Sequence, residues 1–482
     1  MLADSAWKFH RHQVEFPGET VGVWGWDKDR KTVAPRTISR KEAETRFARR
    51  LADQALRLDP ADPDAQTVAQ SIALRQAIEQ SGPDDLATRN RAAFDRAFAS
   101  GPETMHRVLR TAIADRDDDL ATAAASVVGK LTDEGRLSAT GRPHPLVEAL
   151  WAPGPRTPLA AAKALVDLAP SQPFPGSSRL VPALARYITT HRSPRAVVID
   201  DNPARGSQLA GTARELGYEA TMETRGNQGF RAAAETADVE IVFVSHAFAP
   251  SSWGVTDILA NLKSDSRTKD IPVFVYGPRD LEVTRPNLPL NFPGVRYVVQ
   301  PLDGATLERL IGGRPSRMSD AERGALAAEA AGLLARIAAA PRSPFAEDLS
   351  EAEPALATAL NQADTGSAAS TALGDVPDAD AQRSLAGAVL DLSRPVELRR
   401  GSADQLARSI EKFGPLVTAG QELQLTAEAR SEADPGLRAA LVKAVNALQA
   451  GVRSARSGPR PIPAAPAPDA NSPPPADGRP RS

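Results

Sequence analysis

Arg195-Ala196-Val197-Val198-Ile199-Asp200-Asp201-Asn202 decides how the middle of this 482-residue chain folds. An unbroken apolar run that closes on two carboxylates reads as a strand buried on both faces, delivering acidic groups to its end. Three similar runs follow. Ile241-Val242-Phe243-Val244 ends at Ser245-His246 and precedes Pro250 and Gly254. Ile271-Pro272-Val273-Phe274-Val275-Tyr276 ends at Gly277, and Val295-Arg296-Tyr297-Val298-Val299 ends at Gln300-Pro301. A shorter strand is expected near 219–223, with helices at about 204–216, 227–236, 253–263 and 303–311. Strands alternating with helices, joined by right-handed crossovers, make a doubly wound α/β sheet of five parallel strands. The strand ends gather at its carboxyl edge, so Asp200, His246, Gly277 and Gln300 should converge there. Between 278 and 294, four prolines should replace a helix with a stiff extended loop.

In order, spacing and length, residues 191–313 resemble the receiver domain of bacterial response regulators, which has a flavodoxin-like fold. In that family the strand ending here at His246 ends instead in the aspartate that takes the phosphoryl group. The family has Thr or Ser at the slot of Gly277, and Lys before Pro at the slot of Gln300-Pro301. Phosphoryl transfer to a carboxylate needs a bound divalent cation, an acceptor oxygen and a positive charge on the developing phosphate. The resemblance therefore implies a degenerate phosphoacceptor pocket made of Asp200, Asp201, His246, Gly277, Gln300 and Pro301, with no catalytic residue. No cofactor is expected. Asp200 and Asp201 alone should hold Mg²⁺ only in roughly the millimolar range, because the ion keeps most of its waters. The plainer expectation is a solvated, helix-capping acidic pair, with His246 on the rim of the pocket.

The flanks are helical. Pro395 and Pro435 are 40 residues apart, each followed by Leu/Val, Arg and an Ala/Leu stripe at helical spacing. Pro145–Trp151 with Pro158–Leu165 makes a third hairpin of this kind, and a fourth is expected at 103–131. These resemble HEAT repeats, whose length is about 40 residues. At the N-terminus, Ser39 begins a helix that runs to Leu58. Asp62 is then the expected cap and Pro63 the first residue of a second helix, a hairpin that resembles a tetratricopeptide unit. Trp24 and Trp26, in a short strand or aromatic plug at 21–27, are expected to pack in a core. The expected organisation is therefore a helical region at 1–100, HEAT-like repeats at 101–190 and the receiver-like unit at 191–313. HEAT-like repeats resume at 314–456 and a Pro-rich tail fills 457–482. That tail cannot build a core, and its composition suits disorder or polyproline II.

Aromatics make up only 5% of the chain, which suits Ala/Leu-packed helices. The net charge of −2 gives no global attraction to nucleic acid or acidic membranes. There are no cysteines, so disulfides and thiolate metal sites are excluded. No apolar run approaches the roughly 20 residues that span a bilayer, and the N-terminus lacks an apolar leader, which points to the cytoplasm. His10 and His12 form an isolated HxH. Three functional classes follow. The first is a non-enzymatic scaffold for other proteins in bacterial signalling. The second is an atypical response regulator sensing a ligand or metal. The third is an enzyme using the carboxyl-edge pocket, against which stands the lack of a phosphate loop, zinc spacing or nucleophile motif.

Overall fold

The computed structural model describes all residues except 28, 30, 85, 140, 191–192, 249–252, 280–290, 301, 312–317, 341–342 and 457–482. Most of the 278–294 loop, Pro250, Pro301 and the Pro-rich tail therefore lie outside the described residues.

The chain opens with α1 (Leu2–His10) and a hairpin of β1 (Thr20–Asp27) and β2 (Thr32–Ser39). Helices α2 (Arg40–Leu58) and α3 (Pro63–Ser81) follow as an antiparallel pair. Their starts are local chemistry: Ser39 Oγ accepts from the Glu42 amide, and Asp62 caps α3 with Pro63 at its first position. Then come α4 (Leu86–Arg89), α5 (Arg91–Ala99), α6 (Gly101–Ala114), α7 (Asp118–Leu131), α8 (Glu134–Ser138), α9 (Pro145–Ala149), α10 (Thr157–Asp167) and α11 (Leu180–Ile188).

The α/β unit alternates β3 (Arg195–Ile199), α12 (Pro203–Glu215), β4 (Glu219–Glu223), α13 (Gly226–Glu235), β5 (Val239–Ser245), α14 (Val255–Ser264), β6 (Val273–Gly277), β7 (Val295–Val299) and α15 (Gly304–Ile311). The sheet order is β4-β3-β5-β6-β7, all parallel. Numbered along this unit, that is 2-1-3-4-5, a common doubly wound order. Successive residues feed opposite faces. Val197, Ile199, Val242 and Val244 pack with Ile258 and Leu262 of α14, while Ala196, Val198, Ile241 and Phe243 pack with Leu209, Ala213 and Leu307. One strand differs from expectation: β6 begins at Val273 rather than Ile271. Pro272 has no amide to donate, and only its carbonyl joins the ladder, accepting from Val242 N at 3.0 Å.

Helices resume with α16 (Asp320–Ala339), α17 (Glu353–Ala359), α18 (Gly366–Leu373), α19 (Ala379–Leu390), α20 (Val396–Phe413), α21 (Ala419–Ser431) and α22 (Pro435–Arg456). A single apolar core runs from Leu74 to Ile188 and again from Ala330 to Leu448. The join is made by α16 packing against α10 and α11. The helical layers thus continue across the α/β unit, which enters and leaves between α11 and α16. Small residues allow close stacking: a Cβ added at Gly129 of α7 would lie 2.6 Å from Ala164 Cβ of α10.

The N-terminal hairpin corrects one expectation. Its inner face, Val23 and Ile38, is buried against Ala43 of α2, but Trp24 and Trp26 are 69% and 63% exposed. They sit at alternate positions on the outer face, opposite Pro35 and Val33. The missed partner strand β2 is the reason, since pairing fixes which face of β1 meets α2.

Candidate functional site

At the carboxyl edge of the sheet, Ile199 pairs with Val244 and Ser245 pairs with Tyr276, so Asp200 lies beside Ser245 with Tyr276 one strand further on. The Asp200 side chain is fully buried and meets four donors. Arg205 gives two of them, Nε to Oδ2 at 2.7 Å and Nη2 to Oδ1 at 2.6 Å. The Tyr276 hydroxyl donates to Oδ2 at 2.5 Å, and the Asn202 amide to Oδ1 at 2.9 Å. A carboxylate offers about four lone-pair positions, and here each oxygen accepts two bonds from the protein. Arg205 Nη2 also donates to Ser245 Oγ at 2.9 Å and lies 3.6 Å from Asp201. The bonds to Asp200 raise the Arg205 pKa, so the guanidinium is a fixed cation. Burial, then the Asp200 bond, raises the Tyr276 pKa and keeps its hydroxyl protonated as a donor.

This corrects the expectation of a solvated, helix-capping acidic pair. Asp200 is sealed from water, and the cap of α12 is Asn202, whose side chain accepts from the Ala204 and Arg205 amides. A divalent cation would have to displace Arg205 to reach Asp200, because no lone pair of that carboxylate is free. Asp201 stays half-buried at the rim.

The other expected positions also come to this edge. The His246 amide donates to Tyr276 O at 3.0 Å, and the Gln300 amide to Gly277 O at 2.8 Å. The His246 imidazole lies over Gly277: a Cβ added there would stand 2.6 Å from His246 Cγ and Nδ1 and 2.4 Å from the Tyr297 hydroxyl. The ring thus fills the space that a Thr or Ser side chain would need. Pro301 lies outside the described residues. Sequence reasoning brought Asp200, Asp201, His246, Gly277 and Gln300 to one edge but missed Arg205, Ser245 and Tyr276. The available signal was Arg205 in the first turn after Asn202-Pro203, close enough to turn back on Asp200.

The opposite, amino edge of the sheet rests on the helical layers. Two guanidiniums approach the Trp151 ring, Arg186 at 5.8 Å and Arg267 at 5.2 Å from its centroid. Burial pulls the Arg186 pKa down to about 10. Arg323, 1% exposed in α16, donates to Glu240 at 3.1 Å, and its carbonyl accepts from Thr190 Oγ1 at 3.3 Å. Arg116 pairs with Asp270 at 2.6 Å. The carboxyl edge with Asp200 therefore faces away from this junction.

The HxH does not assemble as a ligand pair. His10 stacks edge-on against Trp7, and burial lowers its pKa to about 4, while His12 turns to Glu44. Both line a cavity of about 490 Å³ among α1, α2, α3, α6 and α7. Its charges are mutually paired, including Arg11–Asp115 at 2.8 Å and Lys41–Glu79 at 2.7 Å. Among the described residues, no three His, Cys, Asp or Glu side chains are grouped to hold a metal, and no helix is long and apolar enough to cross a membrane. No protein-family model matches the chain, and no curated protein matches it.

Proposed function

We propose that this chain is a non-enzymatic protein-interaction scaffold in bacterial signalling, built of HEAT-like helical layers around a receiver-like unit that cannot be phosphorylated. The observation that carries this reading is the closed set of bonds on Asp200. A receiver needs that acidic corner open to a cation, with an acceptor carboxylate and a lysine beside it. Here a tethered guanidinium supplies the positive charge from inside. His246 has no carboxylate to offer, its ring excludes a hydroxyl side chain from position 277, and Gln300 carries no charge. What remains is a rigid α/β body seated on an extended helical surface, and such surfaces suit protein partners. The test is intact-mass measurement after treatment with a small phosphodonor and Mg²⁺. No added phosphate is expected, and a hydroxylamine-sensitive adduct on any aspartate would overturn the reading. Co-purification with mass spectrometry would name the partner.

A further inference from the structure

The outer face of the N-terminal hairpin is the most exposed aromatic surface among the described residues. Trp24 and Trp26 stand side by side on β1, with Pro35 and the 56%-exposed Val33 opposite them on β2. Alternate strand positions are roughly 7 Å apart, so two indoles and two aliphatic residues form one short platform. The inner face is already used against α2, so nothing in the fold calls for these Trp residues to be apolar. Two largely exposed indoles, each with a ring face and an N–H donor, complement one backbone conformation above others. Polyproline II presents proline rings to stack and carbonyls without internal partners to accept from indole N–H groups.

The chain carries such a sequence itself. Past Arg456 it reads Ser457-Gly458-Pro459-Arg460-Pro461-Ile462-Pro463-Ala464-Ala465-Pro466-Ala467-Pro468. We propose that the Trp24/Trp26 platform binds this proline-rich segment of a second copy of the chain. The arrangement of helices favours a second copy over the same one. The hairpin sits on the first helix pair and the tail leaves the last. Between them α3 packs on α7, α7 on α10, α10 on α16, α16 on α18, α18 on α20 and α20 on α22. Six steps at 8–10 Å make a path of up to roughly 50–60 Å, whereas the chain from Arg456 to Pro468 reaches about 37 Å as polyproline II. A tail that meets the head of another copy can close reciprocally as a two-fold pair or run head-to-tail into rings or open chains.

Sedimentation velocity of the full-length protein over a wide concentration range tests this. Mass-dependent self-association is expected. It should be lost in Trp24→Ala/Trp26→Ala and equally in a chain truncated after Arg456. Both changes lie outside the cores, and circular dichroism verifies that each variant keeps its fold. Mixing the two variants should restore one intact contact and give a heterodimer with nothing larger. A synthetic peptide of residues 457–470 should dissociate the full-length assembly and protect the exposed tryptophans from acrylamide quenching. The same peptide with Ala at 461, 463 and 466 should do neither. A full-length chain that stays monomeric overturns the proposal, as does association that survives both variants. Tryptophan protection that depends on the tail within a monomer also overturns it, by making the contact intramolecular.

Discussion

Asp200 accepts from Arg205 Nε and Nη2, the Tyr276 hydroxyl and the Asn202 amide, and that count sets what the pocket can bind. Arg205→Ala removes two of the four donors and leaves a carboxylate charge with no cation at a fully buried site. Uncompensated buried charges cost roughly 3–5 kcal/mol. Arg205 is itself about a third exposed, so water can reach the vacated space and the loss should fall at the low end. The same change frees lone pairs beside Asp201. Millimolar Mg²⁺ is therefore expected to raise the melting temperature of the Arg205→Ala protein and to leave the parent unchanged. Thermal melts with and without the ion check this, and equal stabilisation of both proteins would refute the tethered-cation account.

Individual helices carry two further expectations. Leu437 and Leu441 are both fully buried on one face of α22, which packs on α20 and α21. Leu441→Ala should cost roughly 2–5 kcal/mol in denaturant unfolding. Leu423→Ala on α21, where the side chain is 73% exposed, should stay within about 0.5 kcal/mol. The second concerns α9, whose cap is His144: its Nδ1 accepts from the Leu146 amide, and its ring meets that of His106 edge-to-face, with centroids 4.8 Å apart. Burial, then the His106 and Arg110 charges, lowers the His144 pKa from 6.5 to about 4. The unfolded chain therefore binds a proton that the folded one refuses between those two values. The stability is fully present above pH 6.5 and is lost as the pH falls towards 4, by on the order of 3 kcal/mol. His144→Asn keeps a capping acceptor and removes the titration. Melts across this window should be flatter for the variant, and an unchanged slope would place the acid sensitivity elsewhere.

For the whole molecule, the decisive contact is α16 returning to α10 and α11 after the α/β unit. Because the helical core is continuous through that return, the unit is held at both its entry and its exit. Limited proteolysis should leave residues 190–320 attached to the helical layers. Arg323→Met removes the charge that faces Glu240 from the 1%-exposed position in α16. The variant should release the α/β fragment earlier than the parent, with the fragment mass read by gel or mass spectrometry. Early release from the parent itself would mean that the junction at Trp151, Arg186 and Arg323 does not hold the two parts together.

The local sequence determined the strands, the caps and the edge at which the strands end. A parallel strand buried on both faces is a continuous apolar run, so β3, β5, β6 and β7 announce themselves. Capping is likewise a matter of one or two neighbours, as at Ser39 and at Asp62-Pro63, though at α12 the cap is Asn202 and not the acidic pair before it. The alternation of elements then brought Asp200, His246, Gly277 and Gln300 to one edge. What fills that edge was decided only by the tertiary structure. Whether Asp200 faces water, a metal or Arg205 depends on distances set by the crossing of β3, α12, β5 and β6. The exposure of Trp24 and Trp26 was hidden for the same reason, since it follows from which face of the hairpin meets α2. The pairing of α11 with α16 joins residues far apart in the chain, and helical periodicity gives each helix a buried face without naming the helix that covers it.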